Sequence, residues 1–99
     1  MNRSDYTYSI ENFSGSNVIV IEELNLGNTS VTNNIENVLN EICRIEKLFI
    51  HSYMIVYKDS EGVWDGYNYQ KEIFLALNES TWQDAVSKYA QIQLNKIEQ

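Results

Sequence analysis

Leu48-Phe-Ile-His-Ser-Tyr-Met-Ile-Val-Tyr57, followed by Lys58-Asp-Ser-Glu-Gly62 and Val63-Trp-Asp-Gly-Tyr67, is the stretch whose reading decides the fold. Ten residues rich in β-branched and aromatic side chains run into a glycine-bearing turn and a second aromatic run. That is the pattern of two antiparallel strands joined in a hairpin. Asp59-Ser-Glu-Gly62 suits a type I turn with its glycine in the left-handed region, the usual start of a bulged hairpin loop.

Upstream of this hairpin, Tyr6, Tyr8 and Ile10 alternate with polar residues as on a half-buried strand. The turn-forming cluster Asn12–Asn17 separates them from the continuous β-branched run Val18-Ile-Val-Ile21, so a first hairpin is expected here, closed on its solvent side by Glu22 and Glu23. Leu26–Ser30 breaks the strand and offers N-caps for a helix from about Val31 to Ile45. At 100° per residue Val31, Ile35, Val38, Leu39, Ile42 and Ile45 fall within an arc of roughly 120°, the width of a helix laid on a core. The opposite face carries Asn34, Glu36, Asn37, Asn40, Glu41 and Arg44.

Downstream, Gly66 with Asn68 reads as a second turn and Ile73–Leu77 as another strand. Ser80-Thr-Trp-Gln83 has the capping-box form, Asp84 adds negative charge to the first turn, and a last helix is expected from about Thr81 toward Lys96. The order ββ-α-βββ-α over residues 1–99 predicts a single α+β domain with a mainly antiparallel sheet of four to five strands and two helices. The runs Val18–Ile21, Met54–Tyr57 and Ile73–Leu77 do not alternate, which implies burial on both faces of the sheet. Apolar residues of the last helix span roughly 200°, wider than one contact with a core needs. Either the helices sandwich the sheet, or a second subunit, in a homodimer, or a partner covers what is left.

Charge restricts the partners. Fourteen acids against seven bases give a net charge of -7, which disfavours direct binding to nucleic acid or to anionic membrane and favours a basic protein partner. From Asp5 through Cys43 there are acids and no Lys or Arg at all, so the N-terminal half should present a negative surface. No apolar run has the length of a membrane span or of a secretory leader, and the expectation is a soluble protein of the cytoplasm.

Motifs of catalysis and cofactor binding fail one by one. Cys43 and His51 are nucleophile and base by type, but one lies at the edge of a helix's buried arc, the other in a strand, and no orienting third group is identifiable. His51 and Ser52, as strand neighbours, point to opposite faces. Asp59, Glu61 and Asp65 are spaced like the start of a calcium loop, which Val63 and Trp64 then break. A lone cysteine and a lone histidine supply no zinc ligand set, and the four glycines form no phosphate cradle. No metal, cofactor or enzymatic activity is expected. What remains is an aromatic and acidic cluster of Tyr57, Asp59, Trp64, Asp65, Tyr67 and Tyr69. The alternative is that Tyr57 and Trp64 are core strand residues, the reading favoured for Trp64, and that Asp65 caps a turn, whereas Tyr67 and Tyr69, placed in a loop, lean toward exposure and a binding role.

Two stretches, Val31-Thr-Asn-Asn-Ile-Glu36 and Tyr57-Lys-Asp-Ser-Glu-Gly-Val-Trp-Asp-Gly66, resemble those of small uncharacterised acidic phage and mobile-element accessory proteins. The resemblance implies a short accessory protein of a phage or its bacterial host and supplies no activity and no site residues. Together with the charge it leads to the expectation of a non-enzymatic, phage-type inhibitor whose acids occupy a basic groove of a host nucleic-acid-binding protein. The candidate partner-binding residues are Glu22, Glu23, Glu36, Glu41, Asp59 and Asp65, with Tyr67 and Tyr69 as anchors. Two alternatives belong to other classes. One is a small oligomer holding a nucleotide signal in an aromatic pocket between subunits, which needs bases such as Lys58 and Lys71 to converge; the other is a structural or assembly subunit.

Overall fold

A computed structural model describes the chain over residues 5–25, 31–59 and 61–98. Five strands and two helices follow one another as β1 (Asp5–Phe13), β2 (Ser16–Asn25), α1 (Val31–Glu46), β3 (Met54–Lys58), β4 (Trp64–Asn68), β5 (Ile73–Glu79) and α2 (Trp82–Glu98). The fold is α+β, and the strands lie in the sheet in chain order. Three of the four pairings are antiparallel, while β2 and β3 run parallel, in register from Val18 beside Met54 to Ile21 beside Tyr57. Parallel neighbours need a crossover, and α1 supplies it.

The sheet is covered on both faces. Ile19 and Ile21 of β2 pack with Ile55, Tyr57 and Tyr67 beneath Ile35, Val38, Leu39 and Ile42 of α1. Val18, Val20 and Val56 point the other way, into a second core with Trp64, Leu77 and Ala85, Val86 and Tyr89 of α2. The helices therefore sandwich the sheet, which is the first of the two explanations for the apolar excess. On α1, Ile35, Val38, Leu39 and Ile42 are buried as the arc predicts, the side chain of Val31 lies outside the described residues, and Ile45, on the margin in the last turn, is 52% exposed.

The decisive stretch is part strand and part connector. Leu48–Tyr53, expected as strand, instead includes a 3-10 turn at Ile50–Ser52, and β3 starts only at Met54. The reason lies in the end of α1. Lys47 takes φ +58 and the Leu48 amide donates back to the Cys43 carbonyl, a Schellman ending, while Cys43 and Leu48 both pack on the α1 core. From there the chain must cross to the start of a strand parallel to β2, and six residues are spent on the crossing. The Asp59–Gly62 turn forms as expected: the Gly62 amide bonds the Asp59 carbonyl at 3.1 Å, Gly62 sits at φ +83, and Asp59 Oδ1 accepts from the Glu61 and Val63 amides.

Gly66 is not a turn residue. It lies buried in β4, and a Cβ built on it would stand 2.8 Å from Tyr89 Cδ2 and 3.0 Å from Leu77 Cδ1. Glycine is there so that the Tyr89 ring of α2 can rest on the sheet. The turn itself falls at 69–72, where Asn68 Oδ1 accepts from the Lys71 amide and Glu72 takes φ +55. The cap of α2 is also displaced by one residue from expectation: Thr81 Oγ1 accepts from the Asp84 amide, so Thr81 is the N-cap and Asp84 stands three residues inside.

Gly66→Ala should therefore lower stability by about 1–3 kcal/mol, since neither the tyrosine ring nor the strand can retreat freely. Urea denaturation monitored by circular dichroism reads this directly. An unchanged midpoint would show that Tyr89 does not rest on Gly66.

Candidate functional site

The candidate partner-binding residues do not form one patch. Tyr67 is only 3% exposed and belongs to the α1 core, contrary to its expected place in a loop. It is a strand residue of β4, and its ring packs 4.7 Å from that of Phe74. Its hydroxyl reaches the rim of the core and donates to Glu36 Oε2 at 2.6 Å, so Glu36 and Tyr67 are partners of each other. Tyr69 is half-buried and donates to Asn40 Oδ1 at 2.9 Å. On the other flank of α1 the Tyr6 hydroxyl is hydrogen-bonded to Glu41, and Tyr8 donates to Glu46 Oε2 at 2.6 Å. Tyrosines from both sides of the sheet thus tie down the polar margins of α1.

Tyr57 and Trp64 are buried core residues, and Asp65 is a cap. One residue of β4, Asp65, stands opposite three of β5 at 76–78, because the register shifts between Trp64 and Gly66. This bulge leaves two amides of β5 without a strand partner, and Asp65 Oδ1 accepts both, from Leu77 and Asn78, at 3.0 Å each. Asn78 at φ +56 is the bend itself. Asp59 is likewise committed to its turn. Glu22 is exposed and sits in a second bulge, where Thr7 pairs Glu23 but Tyr8 pairs Ile21. The side chain of Glu23 lies outside the described residues.

Strand directions reveal what the sequence order hides. The top of β2, the turn after β3, the start of β4, the end of β5 and the first turn of α2 all lie at one end of the sheet. Among the described residues, Glu22, Asp59, Glu61, Asp65, Glu79 and Asp84 gather there, and the basic side chains beside them are Lys58 and Lys88. Both lysines are committed: Lys58 Nζ lies 5.9 Å from the centre of the Trp64 ring, and Lys88 Nζ donates to the Leu77 carbonyl at 2.9 Å and pairs with Glu79 at 3.6 Å. Glu61, Glu79 and Asp84 were not among the expected site residues; only the strand order brings them beside Glu22.

The opposite end of the sheet is chemically different. There α2 overhangs the sheet, being 17 residues against five in β3 and β4. That is about 25 Å of helix over about 17 Å of strand. The overhang leaves furrows around Tyr89 and Gln93, with volumes of about 360 Å³ and 300 Å³. His51 stands at this end with its ring 5.3 Å from Phe49 and 5.8 Å from Tyr69, both in edge-on contact. It sits in the 3-10 turn and not in a strand. Among the described residues no hydrogen bond joins it to Cys43, whose thiol is pushed up in pKa by burial against the α1 core, away from the thiolate that a nucleophile requires. Among the described residues, no group of three or more His, Cys, Asp or Glu is placed to hold a metal ion. Nor is any helix among them long and apolar enough to cross a membrane. Compared with family models, with curated proteins and with solved structures, the chain matches none.

Five tyrosines have their pKa raised. Tyr57 and Tyr89 are pushed to about 12 by burial, with Asp65 and Asp59 adding to the effect on Tyr57. Tyr6 reaches about 12 through burial and its bond to Glu41. Tyr67 is raised further by burial and Glu36, and Tyr8 chiefly by its bond to Glu46. In every case the fold favours the neutral phenol. Stability from these groups is complete below the unfolded value near 10 and is lost as pH rises through the folded values. Phenolate absorbance near 295 nm should accordingly lag that of free tyrosine and then rise steeply together with loss of the circular dichroism signal between about pH 10 and 12. Phenols that all titrate near 10 while the secondary structure persists would contradict the burial described.

Proposed function

We propose that the chain is a non-enzymatic binding protein whose acidic end receives a basic surface of another protein. The finer form of this reading is a phage-type inhibitor working in the cytoplasm of a bacterial host, where it blocks the nucleic-acid groove of a host protein and does not itself touch nucleic acid. The observation that carries it is the gathering of six carboxylates at one end of the sheet beside two lysines that are both already engaged. Glu22, Glu61 and Asp84 have exposed side chains there. Asp59 and Asp65 sit behind them, each using Oδ1 to hold backbone amides in place. An array of fixed and free carboxylates on strand and helix ends needs little ordering on binding, and steers a basic partner toward it.

Glu36 and Glu41 are not the residues to test it, because both are bonded to tyrosines. A nucleotide signal is less well supported. The two lysines that would have to converge stand at opposite ends, Lys58 beside Trp64 and Lys71 in the turn before β5.

The test is titration calorimetry against a panel of purified basic nucleic-acid-binding proteins, with duplex DNA as competitor. Binding at low salt should be displaced by DNA and should weaken at least about tenfold in Glu22→Lys/Glu61→Lys, which leaves the fold intact because neither side chain is buried. Binding that is indifferent to the double reversal and to DNA would overturn the reading.

A further inference from the structure

We propose that the overhang of α2 forms a second site, at the end of the sheet away from the acids, which takes a neutral nucleoside. Two furrows there share Tyr89 and Gln93 and differ in character. One, of about 360 Å³, is mainly apolar, walled by Ile73, Leu75, Ile92 and the Tyr89 ring. The other, of about 300 Å³, is mainly polar, with Asn17, Ser16, Ser52 and His51 along its rim. A smaller recess of about 80 Å³ between Tyr53, Tyr69 and Gln70 opens beside them, again against Tyr89 and Gln93. Volumes at the lower end of the ligand-site range limit the occupant to a molecule of a few rings.

The ligand class follows from polarity and charge. A flat ring with apolar faces and hydrogen-bonding edges suits the first furrow, and a hydroxylated ring suits the second; joined, they describe a nucleoside. Among the described residues no carboxylate lines any of the three cavities, although the chain has fourteen acids. The lining offers amides and hydroxyls instead, and the side chains of Gln70 and Gln93 make no hydrogen bond to another described residue. Among the described residues of the lining, Lys71 and His51 are the only basic side chains, one in each furrow. With one lysine in the described lining and a net charge of -7, the site is a poor phosphate clamp and should favour the uncharged nucleoside over its phosphate. This site does not depend on the acidic end, and either can fail without the other.

The experiment is two-dimensional amide NMR of the whole chain titrated with adenosine, guanosine, cytidine and uridine, with adenosine monophosphate and maltose as comparators. At least one nucleoside should give saturable shifts confined to residues 15–17, 51–54, 68–73 and 89–93, with a dissociation constant below about 1 mM. The monophosphate should bind no more tightly. Ile73→Lys, at a position 39% exposed, should abolish these shifts while the rest of the spectrum stays in place, and Gln93→Ala should weaken binding about tenfold. No saturation by any nucleoside at about 5 mM, shifts from maltose alone, or a monophosphate about tenfold tighter than its nucleoside would each overturn the proposal.

Discussion

Val18, Ile19, Val20 and Ile21 are all completely buried, and so is nearly the whole of Ile55–Tyr57 beside them. Successive side chains on a strand point to opposite faces, so a run like this has to be covered twice. At about 1.5–3 kcal/mol for each large aliphatic chain removed from water, neither face can be left open in a domain of this size. One helix takes the odd-numbered residues of β2 and the other takes the even-numbered ones. That division fixes the connectivity as well. The helix that covers the first face lies between β2 and β3 in the chain, so these strands become parallel neighbours, and the remaining strands attach outward by antiparallel turns.

Much of this was legible in the residues. The non-alternating runs Val18–Ile21 and Met54–Tyr57 announced two covered faces, whereas of Ile73–Leu77 in the edge strand β5 only Leu77 is buried; the arc on α1 named Ile35, Val38, Leu39 and Ile42, and Asp59–Gly62 was a turn by its own chemistry. The misreadings share one cause: a local signal was given a local explanation when its real partner was distant. Gly66 looked like turn punctuation, yet the residue that requires it is Tyr89 in the following helix. Leu48–Tyr53 has strand composition, but the ending of α1 and the distance to β3 make it a connector. Tyr67 followed Gly66 into a supposed loop; once β4 continues through that glycine, the tyrosine turns inward.

The site was less legible than the fold because it depends on strand order. Glu22, Glu61, Glu79 and Asp84 are spread over sixty-odd positions of sequence and meet only because β2, β3 and β5 end on the same side and α2 begins there. Charge counting favoured the N-terminal half, where acids occur without bases. In three dimensions part of that charge is already used: Glu36, Glu41 and Glu46 each take a tyrosine hydroxyl and secure α1 to the strands on either flank. The α2 overhang could not be anticipated at all, since it is a difference between two element lengths and not a property of any residue.

A carboxylate that accepts from a backbone amide or a phenol in the folded chain has exchanged some of its water for protein. Moving it to a partner's lysine or arginine would leave the first donor unsatisfied, at a cost of about 1–3 kcal/mol where that donor is buried. The Tyr67 hydroxyl, at the edge of the α1 core, is such a donor for Glu36, and the Leu77 amide is one for Asp65. Acids of this kind hold the shape of a surface without being freely available to it. Glu22 and Glu61 are different: their side chains are exposed, and they extend from a bulge and a turn whose geometry other groups maintain. The fold thus divides its negative charge into a part that builds the domain and a part left free, and of the free part Glu22, Glu61 and Asp84 stand together at the end where β5 stops and α2 begins.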